Sequence, residues 1–140
     1  MINFKINGKE LSANEGTTIL EAAKNANIKI KTLCEYKNLN CIGACRLCMV
    51  EIVGFKRLVA ACNTLVEEGM DIKTNTKKVR RAVKTNLQLI LSEHNTDCTK
   101  CVRNKNCKLQ DLSEKENIFD NPFGEKYKTF KWPKNFPLQR

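Results

Sequence analysis

An α+β fold is what three features of this 140-residue chain predict. Two short alternating strands meet at Asn7-Gly8, an apolar-faced helix follows, and further short strands run on to about residue 75. That order, two strands, a helix and then more strands, belongs to a β-grasp sheet with one helix laid across it. Beyond it the apolar residues switch to helical spacing. The expected organisation is therefore a sheet domain at 1–75, a helical domain at 76–117 and an extended arm at 118–140.

The elements follow in order. Ile2-Asn3-Phe4-Lys5-Ile6 alternates apolar and polar, as a half-buried strand does. Asn7-Gly8 supplies a two-residue hairpin turn, and Lys9-Glu10-Leu11 begins the return strand. Gly16 ends the hairpin, and Thr17 or Thr18 caps a helix that carries Glu21 near its first turn. Ile19, Leu20, Ala22, Ala23 and Ala26 give that helix an apolar face. Ile28 and Ile30 then lead into a cysteine-bearing loop. Residues 47–53 read as a strand, Gly54 as a turn and 57–61 as the partner strand. Residues 64–66 are expected to continue the sheet, Glu68-Gly69 to turn the chain, and 70–74 to add a last strand.

From residue 75 to 93, Val79, Val83, Leu87, Ile90 and Leu91 recur at helical spacing. Lys77, Lys78, Arg80, Arg81 and Lys84 fall largely on the other faces, giving a basic amphipathic helix of about five turns. Its ordinary meaning is one packed face and one solvated face. Residues 107–117 read as a short helix with Leu109 and Leu112 inward. Further on, Pro122, Gly124, Pro133 and Pro137 interrupt a segment holding Phe119, Phe123, Tyr127, Phe130, Trp132 and Phe136. Aromatics among prolines indicate an arm that packs on something.

No stretch approaches the roughly 18 apolar residues of a membrane helix, and the N-terminus lacks the basic-then-apolar pattern of a signal peptide. A cytoplasmic location is expected. In that reducing compartment the 8 cysteines read as metal ligands rather than disulfides. The formal charge of +10 is uneven. Residues 1–70 hold 9 Lys and Arg against 7 Asp and Glu, whereas residues 71–140 hold 16 against 8. A basic half of this kind admits nucleic acid as a partner, but bound anionic clusters would neutralise part of it.

The chemistry sits in two cysteine groups. Cys34, Cys45 and Cys48 are spaced C-x10-C-x2-C, and Cys62 follows after thirteen residues. Four thiolates hold either zinc or an iron–sulfur cluster. Gly43 and Ala44, just before Cys45, let backbone N–H groups approach inorganic sulfide, which favours the cluster. The second group is His94, Cys98, Cys101 and Cys107, spaced H-x3-C-x2-C-x5-C. A lone histidine is seldom a ligand, yet four such donors within fourteen residues reverse that expectation. Zinc would accept this donor set too. Cys41 lies outside both patterns and is taken as a non-ligand.

Together the motifs resemble a known family. Cys34, Ile42-Gly43-Ala44-Cys45-Arg46-Leu47-Cys48 and Cys62 look like the N-terminal [2Fe–2S] domain of the complex I large iron–sulfur subunit. The same domain begins many [FeFe]-hydrogenases and NAD-linked formate dehydrogenases. In that family a motif of one histidine and three cysteines follows and binds a [4Fe–4S] cluster. His94, Cys98, Cys101 and Cys107 fall on it, with Leu109-Gln110 behind the last cysteine. The resemblance runs from Ile2 to about Leu112 and implies a ubiquitin-like ferredoxin fold followed by a small helical cluster domain. It implies one [2Fe–2S] cluster on Cys34, Cys45, Cys48 and Cys62 and one [4Fe–4S] cluster on the second set. The family's larger members continue into further clusters and a catalytic domain, whereas this chain stops at Arg140. An excised domain or a small stand-alone subunit is therefore expected.

The implied function is electron relay between a flavin-bearing NADH-oxidising subunit or a ferredoxin and a catalytic subunit of hydrogenase or formate dehydrogenase type. No nucleotide-binding glycine loop, nucleophile–base pair or paired carboxylates appear, so no catalytic residues of its own are expected. The rival reading is a zinc-binding module for nucleic acid, using the same donors, the basic half and the tail aromatics. Against it, zinc ribbons usually pair two close CxxC knuckles, whereas Cys34 and Cys62 stand apart.

Overall fold

The computed structural model describes residues 1–36, 42–120 and 122–123. Cys41 and most of the aromatic arm lie outside these residues. Five strands and three α-helices make up its regular structure: β1 Ile2–Ile6, β2 Lys9–Ala13, α1 Ile19–Asn25, β3 Met49–Ile52, β4 Val59–Ala60, β5 Asp71–Lys73, α2 Lys77–Ser92 and α3 Lys108–Lys115. The sheet order is β2-β1-β5-β3-β4. The first strand runs parallel to the last and antiparallel to its hairpin partner, and β3 runs antiparallel to both of its neighbours. This is the β-grasp arrangement within an α+β fold.

The hairpin register follows from the turn. Asn7 and Gly8 both have positive φ, 53° and 81°, the pair a type I′ turn needs, and Ile6 therefore faces Lys9. With register fixed, alternation puts Phe4 and Ile6 inward and Lys5 outward. Thr18 is the cap of α1, its hydroxyl accepting from the Glu21 N–H at 3.2 Å. Ile19, Leu20, Ala22 and Ala23 are buried on the sheet, while Ala26 is the helix's C-terminal cap and only half buried.

Two strands differ from expectation. The strand foreseen at 57–61 is only Val59–Ala60, and 64–66 does not extend the sheet. Instead Thr64 and Ala61 carbonyls accept from the N–H groups of Ile19 and Leu20, each at 2.9 Å, and the Val66 N–H donates to the Thr17 carbonyl at 3.0 Å. The first turn of any α-helix has N–H groups with no intrahelical partner. Here the segment on either side of Cys62 supplies their acceptors, which fixes that cysteine's neighbourhood against α1.

Among the described residues there are two apolar cores. One lies between α1 and the sheet and includes Ile6, Ile19, Val50, Ile52 and Ile72, with Cys48 and Cys62 among its buried members. The other joins Cys45 and Leu47 to Val79, Val83 and Leu87 of α2 and Leu109 and Leu112 of α3. Thr76 caps α2 by accepting from the Val79 N–H, and 16 residues continue from there, a little shorter than foreseen. An ion pair between Lys31 and Glu116 ties the loop before Cys34 to the end of α3. Among the described residues no helix is long and apolar enough to cross a membrane.

Candidate iron–sulfur sites

Three local devices set the surroundings of the first cysteine group. Arg46 adopts a positive φ of 53° between Cys45 and Cys48, and its carbonyl accepts from the Asn86 side chain of α2 at 2.7 Å. The loop is thereby pinned to the helix, and Leu47, only 1% exposed, drops into the second core. Next, β3 and β4 set Cys48 beside the Cys62 segment, with the Ala61 N–H donating to the Cys48 carbonyl at 2.9 Å. Finally, the Cys34 and Cys45 side chains are hydrogen-bonded to each other. Cys45, Cys48 and Cys62 are buried and Cys34 is half buried.

The sulfurs are surrounded by donors. Burial pushes the Cys45 thiol up, but backbone N–H groups of Leu47, Leu33 and Cys34, with the Cys34 side chain, outweigh it and leave it below its ordinary value. Burial and the neighbouring Cys45 raise Cys34 despite N–H groups from Cys45 and Ala44. N–H groups aimed at a buried sulfur favour its anionic, metal-binding form.

A residue that sequence reasoning missed is Asn63. Its Oδ1 accepts from the Cys62 Sγ–H at 2.8 Å, and it occupies the space beside Gly43. A Cβ at Gly43, where φ is +63°, would lie 2.7 Å from the Asn63 Nδ2. The loop therefore requires glycine both for its backbone angle and for room. Only the adjacency of Asn63 to a candidate ligand could have pointed to it. Gly43→Ala is expected to cost about 1–3 kcal/mol, from left-handed strain and the close contact together. Adding Asn63→Ala should recover only part of that loss in urea unfolding. Full recovery would mean backbone strain is negligible there, and no loss at all would refute the cradle.

The second group lies where α2 runs out. His94 follows the helix cap and is exposed, its N–H donating to the Leu91 carbonyl at 3.2 Å. Cys98 opens a single 3-10 turn, Cys98–Lys100, and Cys107 is the N-terminal cap residue of α3. His94, Cys98 and Cys107 line one largely apolar cavity of about 310 Å³, together with Leu91, Leu109 and Ile118. Cys101 is exposed and does not line it; its Sγ accepts from the Arg103 N–H at 3.4 Å. Among the described residues no three His, Cys, Asp or Glu side chains stand close enough to hold a single metal ion.

The donor sets fit iron–sulfur clusters: sulfur and imidazole donors, N–H groups directed at sulfur, and a glycine where a side chain would intrude. Comparison with known proteins agrees. A family model described as a 2Fe-2S iron-sulfur cluster binding domain matches residues 1–77. A second, described as the NADH-ubiquinone oxidoreductase-G iron-sulfur binding region, matches residues 84–122. The two regions account for one [2Fe–2S] and one [4Fe–4S] cluster.

Among relatives, the chain is 41% identical over 129 residues to NADP-reducing hydrogenase subunit HndD of Solidesulfovibrio fructosivorans, covering 88% of this chain and 22% of that one. It is 40% identical over 126 residues to iron hydrogenase 1 of Clostridium pasteurianum, covering 89% and 22%. To the NADPH-Fe(3+) oxidoreductase subunit alpha of Geobacter sulfurreducens it is 40% identical over 110 residues, covering 79% and 13%. The chain thus spans less than a quarter of the length of these relatives. A solved structure of an NAD+-reducing [NiFe]-hydrogenase in the H2-reduced state superposes with a TM-score of 0.84 at 28% identity, over 93% of this chain and 55% of that one.

Proposed function

This chain belongs to the family of 2Fe-2S iron-sulfur cluster binding domains, and from that membership we propose that it is an electron-relay component of a cytoplasmic oxidoreductase complex. Cys34, Cys45, Cys48 and Cys62 would hold the [2Fe–2S] cluster, and His94, Cys98, Cys101 and Cys107 the [4Fe–4S] cluster. When bound, such clusters supply one-electron exchange without bond chemistry. The partners are a flavin-bearing NAD(P)H-oxidising subunit or a ferredoxin on one side and a hydrogenase-type catalytic subunit on the other. The names of the relatives support this direction.

One arrangement carries the reading: both donor sets border the same apolar core. Cys45 is part of it, and Cys34 and Cys107 pack against it from opposite ends of the sequence. Lys31 pairs with Glu116 across the same junction, and Lys108 reaches the Thr32 hydroxyl at 3.5 Å. The residues between the sites therefore exclude water and hold them at a fixed separation. The remaining work of the chain is to bind, to position sulfur and imidazole, and to aim N–H groups at the thiolates.

Anaerobic protein should contain about six irons and six acid-labile sulfides, the sum of one two-iron and one four-iron centre. A colourless chain loaded with zinc instead would sink the proposal. His94 also has a readable consequence. A neutral imidazole in place of an anionic thiolate makes the second site less negative, so His94→Cys should lower its potential by on the order of 100 mV. An unchanged or higher value in potentiometry would remove His94 from the donor set.

A further inference from the structure

The first two turns of α2 carry Lys77, Lys78, Arg80, Arg81 and Lys84, all exposed, with no acidic residue in the first turn. Cations are unfavourable at a helix N-terminus, and like charges three and four residues apart repel. Among the described residues no ion pair involves any of these five. Exposed Lys56 and Arg57 arrive from the β3–β4 connection, and the Lys56 carbonyl accepts from Lys78 Nζ at 2.9 Å. Exposed Arg46 adds another cation, on the loop that Asn86 pins to the helix. Local stability does not account for such a concentration, since it works against the helix that bears it.

Three of these cations, Lys77, Lys78 and Arg81, line a defined feature. A groove of about 590 Å³ runs between Leu58 and α2, with Leu58 and Ala82 as its aliphatic walls and Lys77, Lys78, Arg81 and Asn86 along it. The opposite face of α2, through Val79, Val83 and Leu87, packs on Cys45 and Leu47. A partner seated in the groove is thus one helix width, about 10 Å, from the [2Fe–2S] cysteine loop.

Resting on the electron-relay reading above, we propose that this basic groove is the docking surface for the acidic face of a one-electron carrier protein. Charge complementarity selects an acidic partner, and the aliphatic walls suit a protein side chain. Nucleic acid is the lesser fit, because none of the residues lining the groove is aromatic, and aromatic rings are the main platforms on which single strands stack their bases. The exchange is balanced with two reactants: one electron leaves the carrier's centre and one arrives at this chain's own.

The test compares the cluster-loaded chain with its Lys77→Glu/Lys78→Glu/Arg81→Glu variant. The probe is an acidic plant-type [2Fe–2S] ferredoxin, its binding measured by biolayer interferometry at low and high salt. Binding should weaken about tenfold or more in the variant and lose most of its salt dependence. Thermal unfolding of the variant should stay level or rise, because repulsion within α2 is relieved. Affinity within twofold of the unaltered chain would overturn the proposal. So would a poly(dT) oligonucleotide that binds the unaltered chain more tightly than ferredoxin does and is lost on charge reversal. Bleaching of the visible absorption by reduced methyl viologen, a small cation, reads the clusters separately. Bleaching in both proteins with unaltered ferredoxin affinity defeats the docking surface alone, whereas no reducible centre in either defeats the relay itself.

Discussion

Cys45→Ala is expected to lower the iron content from about six per chain to about four, with acid-labile sulfide falling in step. The reason lies in how much converges on this one sulfur. It is buried, hydrogen-bonded to Cys34, and faced by N–H groups of Leu47 and Leu33. Alanine removes a candidate ligand and leaves those donors with no acceptor, a further cost of about 1–3 kcal/mol for each buried group left unmatched. The companion Cys98→Ala should leave about two irons, since its cavity is lined by His94 and Cys107 and by none of the first four cysteines. Iron and sulfide assays on anaerobic protein decide the matter. Six irons remaining in Cys45→Ala would show that another residue ligates in its place.

Leu47→Ala should destabilise the chain by about 2–5 kcal/mol, the range for emptying a buried leucine site. Leu47 lies in the loop between Cys45 and Cys48, but its side chain joins Val79, Val83 and Leu87, so the loop and α2 are held by the same few contacts. Urea unfolding should show the loss in its midpoint. Leu65→Ala is the control: that side chain is 50% exposed and should change stability by no more than about 0.5 kcal/mol. Equal, small effects at both positions would mean that the second core does not hold the loop.

Much of this architecture was legible because it follows short-range rules. Asn7-Gly8 dictates hairpin register, Thr18 caps its helix, and the spacing of Val79, Val83 and Leu87 gives the buried face of α2. What escaped depends on contacts distant in sequence. Residues 64–66 have the composition of a strand, yet they serve α1, whose unpaired N–H groups only become a demand once that helix lies across the sheet. Leu47 reads as the first residue of a strand, and nothing nearby reveals that a helix thirty residues later will receive it. Asn63 was hidden for the same reason: its fit against Gly43 exists only after the chain has returned. The ligand candidates themselves were readable from spacing. The path of the Cys45–Cys48 loop depends on Arg46 turning into the left-handed region, which no propensity of arginine announces.

The parallel pairing of Lys5 with Asp71 and Ile6 with Ile72 has a consequence in time. The centre of the sheet cannot zip until residue 73 has been synthesised, and by then every sulfur from Cys34 to Cys62 has already been made. At ordinary elongation rates of about 5–20 residues per second, Cys34 waits roughly 2 to 8 seconds for that partner strand. Until that strand has left the ribosome and paired, the emerged thiols lie in an unsealed segment, open to oxidants and to whichever thiophilic ion arrives first. Yield of correctly loaded protein will therefore track the reductant and free-zinc levels of the cell that makes it.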